Sequence, residues 1–171
     1  MKKFICLALA LMIAVSLAAC GKEAAKVQAP EGTPVELIEK LYAGHREIPL
    51  SLITVEADLQ DKDYVAYNLG LESVDRISTA ALSETMMGQP YSLVMARVKN
   101  AADAEQLARE LYEKIDTNKW ICMEADTKTA AYCGDVVMFF MVSSEFAEAA
   151  TTESVMEAFN ALCGGKAIVV G

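Results

Sequence analysis

The sequence predicts an α+β fold: a mainly antiparallel sheet with two amphipathic helices packed on one face. Three observations predict it. Tyr91–Lys99 (YSLVMARVK) alternates as a strand, and a strongly periodic helix follows it at once. Two short runs, Lys128–Cys133 and Val136–Val142, are joined by Gly134-Asp135, the signature of a tight hairpin. A second periodic helix, Ser154–Cys163, closes the pattern with Val155, Met156, Phe159, Leu162 and Cys163 on one stripe.

Taken in order, the chain opens with Lys2 and Lys3, followed by sixteen residues without charge, Phe4–Ala19. A basic start, an apolar run and small residues at its end form the layout of an export signal. As a helix the run would be roughly 24 Å long at about 1.5 Å per residue. The apolar core of a bilayer is about 30 Å thick, so the run is short for a span. Leu17-Ala18-Ala19-Cys20-Gly21 resembles the lipobox of bacterial lipoproteins. In those proteins the cysteine sulfur takes a diacylglyceryl group and becomes the new N-terminus. The resemblance therefore implies a signal peptide over 1–19, lipid attachment at Cys20, and a chain held at the cell membrane facing the extracytoplasmic side. Acyl chains bind through about 0.8 kcal/mol per buried methylene, and two chains make attachment stable where one is marginal.

Gly21–Gly32 (GKEAAKVQAPEG) is small and polar, so 20–32 reads as a flexible tether and 33–171 as a single globular domain. Thr33-Pro34-Val35-Glu36 starts a helix, with Thr33 as cap, proline at the first helical position and Glu36 completing a capping box. Gly44 ends it. His45, the only histidine, has no Cys or acid beside it in a ligand spacing and reads as a surface residue. Pro49–Ala57 has strand character at Leu52, Ile53 and Val55. Asp58 is placed to cap a helix running to Tyr67, ended by Asn68-Leu69-Gly70. The acids at 56, 58, 61 and 63 lack the glycine and terminal glutamate of a calcium loop, and fit a helix start better.

Asp75–Thr85 partly alternates and reads as a strand. Met86–Pro90 is a turn, with Gly88 and Pro90 as breakers. In the strand that follows, Ser92, Val94, Ala96 and Val98 form the face expected to point to the core. Asn100 caps the next helix, in which Ala101, Ala104, Leu107, Ala108, Leu111 and Ile115 share a face and Glu105 and Arg109 form an i, i+4 pair. Trp120–Glu124 (WICME) is expected as a further strand ahead of 128–133. Val136–Val142 is apolar on both faces, which marks a central strand covered on both sides, or an exposed patch for a partner. Lys166–Gly171 either adds a short edge strand from Ala167–Val170 or frays.

From Ser83 to Val142 the residues SETMMG, PYSLVMARVKNAADAEQLARELYEKID and KWICMEADTKTAAYCGDVVMFFMV resemble a family of uncharacterised lipoproteins of clostridial-type bacteria, known as a domain of unknown function. The resemblance covers most of 33–163. It implies an export lipobox, a strand–helix–strand unit and a Gly-Asp hairpin. It carries over no catalytic residue, only the lipidated Cys20.

Composition excludes some functions. Without 1–19, which hold two lysines and no acid, 13 basic and 24 acidic side chains remain, a formal net charge of −11. Nucleic-acid binding rests on basic side chains meeting phosphates, so it is not expected. No CxxC pair or Cys/His cluster is present, so zinc and thioredoxin-like chemistry lack their residues, and no cofactor or metal is expected. Beyond Cys6 and Cys20 the cysteines are Cys122, Cys133 and Cys163. A turn near Thr127-Lys128 would set Cys122 across from Cys133, allowing a cross-strand disulfide; two reduced core cysteines are the preferred reading. The methionines fall mostly in strand and helix stripes and read as core. Trp120 with Phe139 or Phe140 could line a ligand groove, or fill the core.

Two functional readings follow. The first is a membrane-anchored, non-enzymatic binding or adaptor module that contacts an envelope protein or a small ligand. It requires an exposed apolar or concave patch, for instance around Val136–Met141. The second is an envelope enzyme with a carboxylate-based site. It requires two carboxylates facing each other in a cleft, at least one with a displaced pKa.

Overall fold

The computed structural model describes residues 28–44, 50–146 and 150–171. The leader 1–19, Cys20, the first part of the tether and His45 lie outside the described residues.

Two helices and a hairpin arise where caps and periodicity coincide. Helix α1, Pro34–Ala43, carries the capping box: Thr33 accepts from the Glu36 amide at 3.3 Å, and Glu36 accepts from the Thr33 amide at 2.8 Å. Strand β1 is Leu52–Glu56. Helix α2, Lys62–Leu69, is capped by Asp61, not Asp58. Asp61 accepts from the amides of Asp63 and Tyr64 at 3.0 Å, while Asp58 closes the preceding turn on the Gln60 amide. Gly70 ends α2 in the left-handed conformation at φ 64°. Strands β2, Ile77–Thr85, and β3, Tyr91–Val98, pair next.

A short 3₁₀ turn capped by Asn100 leads into α3, Ala104–Lys114. Strands β4, Thr127–Cys133, and β5, Val136–Val142, form the hairpin around Gly134, whose φ of 60° suits glycine. Helix α4, Thr152–Leu162, and the two-residue strand β6, Ile168–Val169, complete the chain.

The sheet order is β1-β2-β3-β5-β4-β6, and each neighbouring pair is antiparallel. β3 and β4 both run antiparallel to β5 and so run parallel to each other, with β5 between them. The expected strand–helix–strand unit therefore exists, but its second strand is β4. Trp120–Glu124 is not a strand: Trp120 and Met123 form an isolated bridge around a tight turn. It has no strand to join, because both edges of β4 are already taken, by β5 and by β6.

The fold class is α+β, as the sequence predicts, but of the two periodic helices singled out only α4 lies on this face, where it packs beside α1. Here Leu37, Ile38 and Leu41 of α1 and Val155 and Phe159 of α4 meet Leu93, Met95, Met138 and Phe140 of the sheet. The opposite face is covered too, by α3 with α2, over Leu82, Val94, Ala96, Val137 and Phe139. The physical reason is visible in β5. All seven of its side chains are buried, alternately in one cluster and the other. Burying a large apolar side chain contributes about 1.5–3 kcal/mol, so such a strand is stable only between two layers. β3 is likewise buried on both faces, not only on the Ser92–Val98 face. The partial alternation of β2 also has a cause. The register shifts between Ile77 and Thr79, so Ile77 and Ala81 face opposite clusters.

The entering chain is fastened to one end of this sheet. Arg97 donates from Nε to the Gly32 carbonyl at 2.8 Å and from Nη2 to the Pro30 carbonyl, and its Nη1 lies 2.8 Å from both Asp135 oxygens. Lys40 donates to the Glu31 carbonyl at 2.7 Å. Residues 30–32 are therefore seated at the sheet end that carries the β4–β5 hairpin.

Candidate binding surface

The other end of the sheet holds the β2–β3 turn and the segment that leads from α3 into β4. Strand β3 has eight residues, which puts the two ends roughly 26 Å apart at about 3.3 Å per residue.

The segment between α3 and β4 is an excursion with a tied base. The Ala125 amide donates to the Thr117 carbonyl at 2.9 Å, and Asp126 accepts from the amide and hydroxyl of Ser144. These bonds hold the Asp126 carboxyl below its ordinary pKa. Inside the loop, Lys119 is the fixing residue. Its side chain is only 1 % exposed, pairs with Glu84, and lies 3.4 Å from the Ser92 hydroxyl. Ser92 itself donates to Glu84 at 2.7 Å. The ammonium also sits 5.1 Å from the Trp120 ring and 5.8 Å from the Tyr67 ring, and the Tyr67 hydroxyl donates to the Lys119 carbonyl at 2.9 Å. Buried charge is costly unless paired and hydrogen-bonded, and here it is both.

This arrangement fixes a loop whose apolar tip points outward. Ile121 is 91 % exposed, and Cys122 beside it is also exposed. Cys122 adopts φ 67°, the left-handed region that a non-glycine residue seldom occupies. At the same end Met86 is 64 % and Met87 82 % exposed, in the β2–β3 turn that follows Glu84. An ion pair with a buried ammonium and a half-buried carboxylate thus joins two segments that each present large apolar side chains to solvent.

The Lys119–Ser92–Glu84 group is not arranged for nucleophilic chemistry. Ser92 is wholly buried and its proton is engaged by Glu84. A nucleophile must be reachable and have a free base beside it. Elsewhere among the described residues, each carboxyl whose pKa is displaced is displaced downward. For Glu105 the cause is the Arg109 guanidinium, then the Tyr132 hydroxyl; for Glu36 and Glu153 it is backbone and hydroxyl bonds at helix starts. Among the described residues no group of three or more His, Cys, Asp or Glu side chains is placed to hold a metal ion. Among the described residues no helix is long and apolar enough to cross a membrane.

Open clefts are present besides. One of about 530 Å³ lies between Leu59, Val74, Glu72, Asp75 and Lys99. Another, about 590 Å³ and more apolar, lies beside Ala29, Tyr132, Cys133, Lys166 and Ile168, where the chain enters the domain.

Several residues singled out from the sequence fall elsewhere than expected. Val136–Met141 is wholly buried and offers no surface patch. Phe139 and Phe140 are core, and Trp120 is packed against the core, so they line no groove. Met95, Met138 and Met141 are core as expected, but Met86 and Met87 are not. The cross-strand disulfide between Cys122 and Cys133 does not form. Cys122 is exposed in the loop at one end of the sheet, and Cys133 is buried at the other. The surface that does emerge was missed because its members lie in turns, where no periodicity marks them. The one signal was composition: MMG and WICM are apolar turn sequences, and turns are usually polar.

The chain matches no family model, no curated protein and no solved structure.

Proposed function

We propose that this protein is an extracytoplasmic lipoprotein, held at the cell membrane through lipidated Cys20, whose domain is a non-enzymatic binding module for an envelope protein. The proposal includes membership of the clostridial-type lipoprotein family that the sequence resembles. The observation that carries the binding reading is the position of the three most exposed large apolar side chains among the described residues. Met86, Met87 and Ile121 stand at the sheet end opposite to the one where Arg97 grips Pro30 and Gly32. A domain tethered through residues 20–30 would present that end away from the lipid. Ten residues span at most roughly 35 Å when extended, enough to clear the headgroups. Exposed apolar clusters of this kind mark contact sites more often than chance surface, and the surrounding acidity keeps the domain soluble.

The carboxylate-enzyme alternative required two facing carboxylates in a cleft. The downward-displaced carboxyls named above each answer a hydroxyl, amide or cation, while Glu72 and Asp75 share the cleft of about 530 Å³, so this alternative stands beside the binding reading.

The experiment is an affinity capture from host membranes with intact protein, Cys20→Ala and Ile121→Glu. The reading expects intact protein to retain a partner that Ile121→Glu loses, while Cys20→Ala leaves the membrane fraction. Equal recovery of every protein by intact chain and Ile121→Glu would count against this surface.

A further inference from the structure

Cys133 is the last residue of β4, and Cys163 follows the last residue of α4 as its C-cap. Both are buried in the same apolar cluster between α1, α4 and the sheet. The chain beyond Cys163 returns along β4, where Ile168 pairs with Tyr132, which draws the end of α4 to the end of β4. Both are free thiols in this structure, and Cys133 lies close enough to act on the Cys163 thiol. Cys122 stands apart, exposed at the far end of the sheet. The odd cysteine count of the domain thus resolves into a buried pair and an exposed single residue.

We propose that Cys133 and Cys163 are joined by a disulfide in the exported protein, a covalent staple between the end of β4 and the cap of α4. Where this happens rests on the extracytoplasmic reading above, because disulfides persist in oxidising compartments; whether the pair closes rests on geometry alone. The reaction is thiol–disulfide exchange with a small-molecule or protein disulfide. One cysteine thiolate attacks a sulfur of that oxidant and releases its other sulfur as a thiolate. The second cysteine thiolate then attacks the mixed disulfide and releases the remaining sulfur. The two cysteines give up two electrons to the oxidant, and their two protons end on its thiols.

Burial also dictates timing. Exchange needs a thiolate and access. In the folded domain both thiols are shielded, and burial, with Cys133 alongside, pushes the Cys163 thiol well above its ordinary range. The staple therefore forms before α4 settles on the sheet and is protected from reductants afterwards.

The test has two samples. In the first, full chain is unfolded, reduced and refolded in oxidised and reduced glutathione, then alkylated and mapped by mass spectrometry. The expected product is a linked Cys133–Cys163 peptide, lighter than its two halves by two hydrogen atoms, with Cys122 alkylated; dithiothreitol should open it only after denaturant is added. In the second, protein is taken from host membranes with alkylation at lysis, and the linked peptide is expected again. Alkylation of both Cys133 and Cys163 in either sample, or linkage of either to Cys122, overturns the staple. The state of Cys20 in the second sample separates the failures. Free thiols beside a lipidated Cys20 overturn the staple alone, and free thiols beside an unmodified Cys20 overturn the placement as well.

Discussion

Arg97 does three jobs with one guanidinium. It holds two carbonyls of the entering chain and the carboxylate of the hairpin residue Asp135, with a side chain that is 19 % exposed. A planar fork of donors suits this better than a lysine point charge. Replacing it by alanine should lower stability by about 2 kcal/mol, since charge-assisted bonds are lost and an acceptor is left unpaired. Urea unfolding checks the size, and faster proteolysis ahead of Thr33 checks the mechanism. An unchanged midpoint would show that the grip is incidental. None of this was legible in the sequence. The strand position of Arg97 was, but its partners lie 65 and 67 positions away, and no local pattern announces them.

Glu110 sets a pH dependence at the same scale. Burial pushes its carboxyl up, but the Arg76 guanidinium, the Gln106 amide and the Lys114 charge outweigh that and hold it below the ordinary 4.5. A depressed folded pKa gives stability that is present above the unfolded value and lost as pH falls through the folded one. Stability should therefore decline below pH 4.5, and Glu110→Gln should flatten part of that decline. Urea midpoints near neutral pH and well below 4.5 test it; parallel profiles for the two proteins would contradict it.

At the scale of elements, β5 and the close approach of α2 to α3 are the points of greatest sensitivity. Phe139 is wholly buried under α3, and Phe139→Ala should cost about 3–5 kcal/mol through lost burial and a cavity. Gly70 is constrained twice. Its φ of 64° disfavours a side chain, and a Cβ there would strike the Lys114 carbonyl and lie 2.9 Å from the Ile115 nitrogen. Gly70→Ala should then cost about 2 kcal/mol or more, beyond the conformational cost alone, because backbone atoms must move. Thermal unfolding of both variants checks these values, and a Gly70→Ala protein as stable as the parent would mean that α3 can shift freely.

The helices and the β4–β5 hairpin were readable from the sequence because period, cap and turn signals agree there. WICME is as apolar as a buried strand, yet it forms a turn, because strand formation depends on a free neighbour and β4 has none. The cysteine pairing failed with it. Cys122 could face Cys133 only across a strand that does not exist, while Cys163 shares the buried cluster of Cys133 through packing of a helix end, which spacing does not encode.

For the whole molecule, the account is one of orientation: a chain gripped at one end of the sheet and apolar side chains shown at the other. Ile121 and Met87 touch little of the core, so Ile121→Glu and Met87→Glu should change stability by no more than about 0.5 kcal/mol while removing the partner. A large loss of stability in either variant would instead make the loop tip structural, and thermal unfolding alongside the capture experiment separates the two. The fold class was legible at this scale from alternation and periodicity. The display surface was not, since it is defined by which turns share an end of the sheet.

Everything about this orientation depends on the chain being anchored at its start. The most direct measurement is intact and peptide mass analysis of the protein purified from host membranes. The account predicts a chain that begins at Cys20, without residues 1–19, carrying a diacylglyceryl group on its sulfur. A chain that still begins at Met1, or one with an unmodified thiol at Cys20, would contradict it.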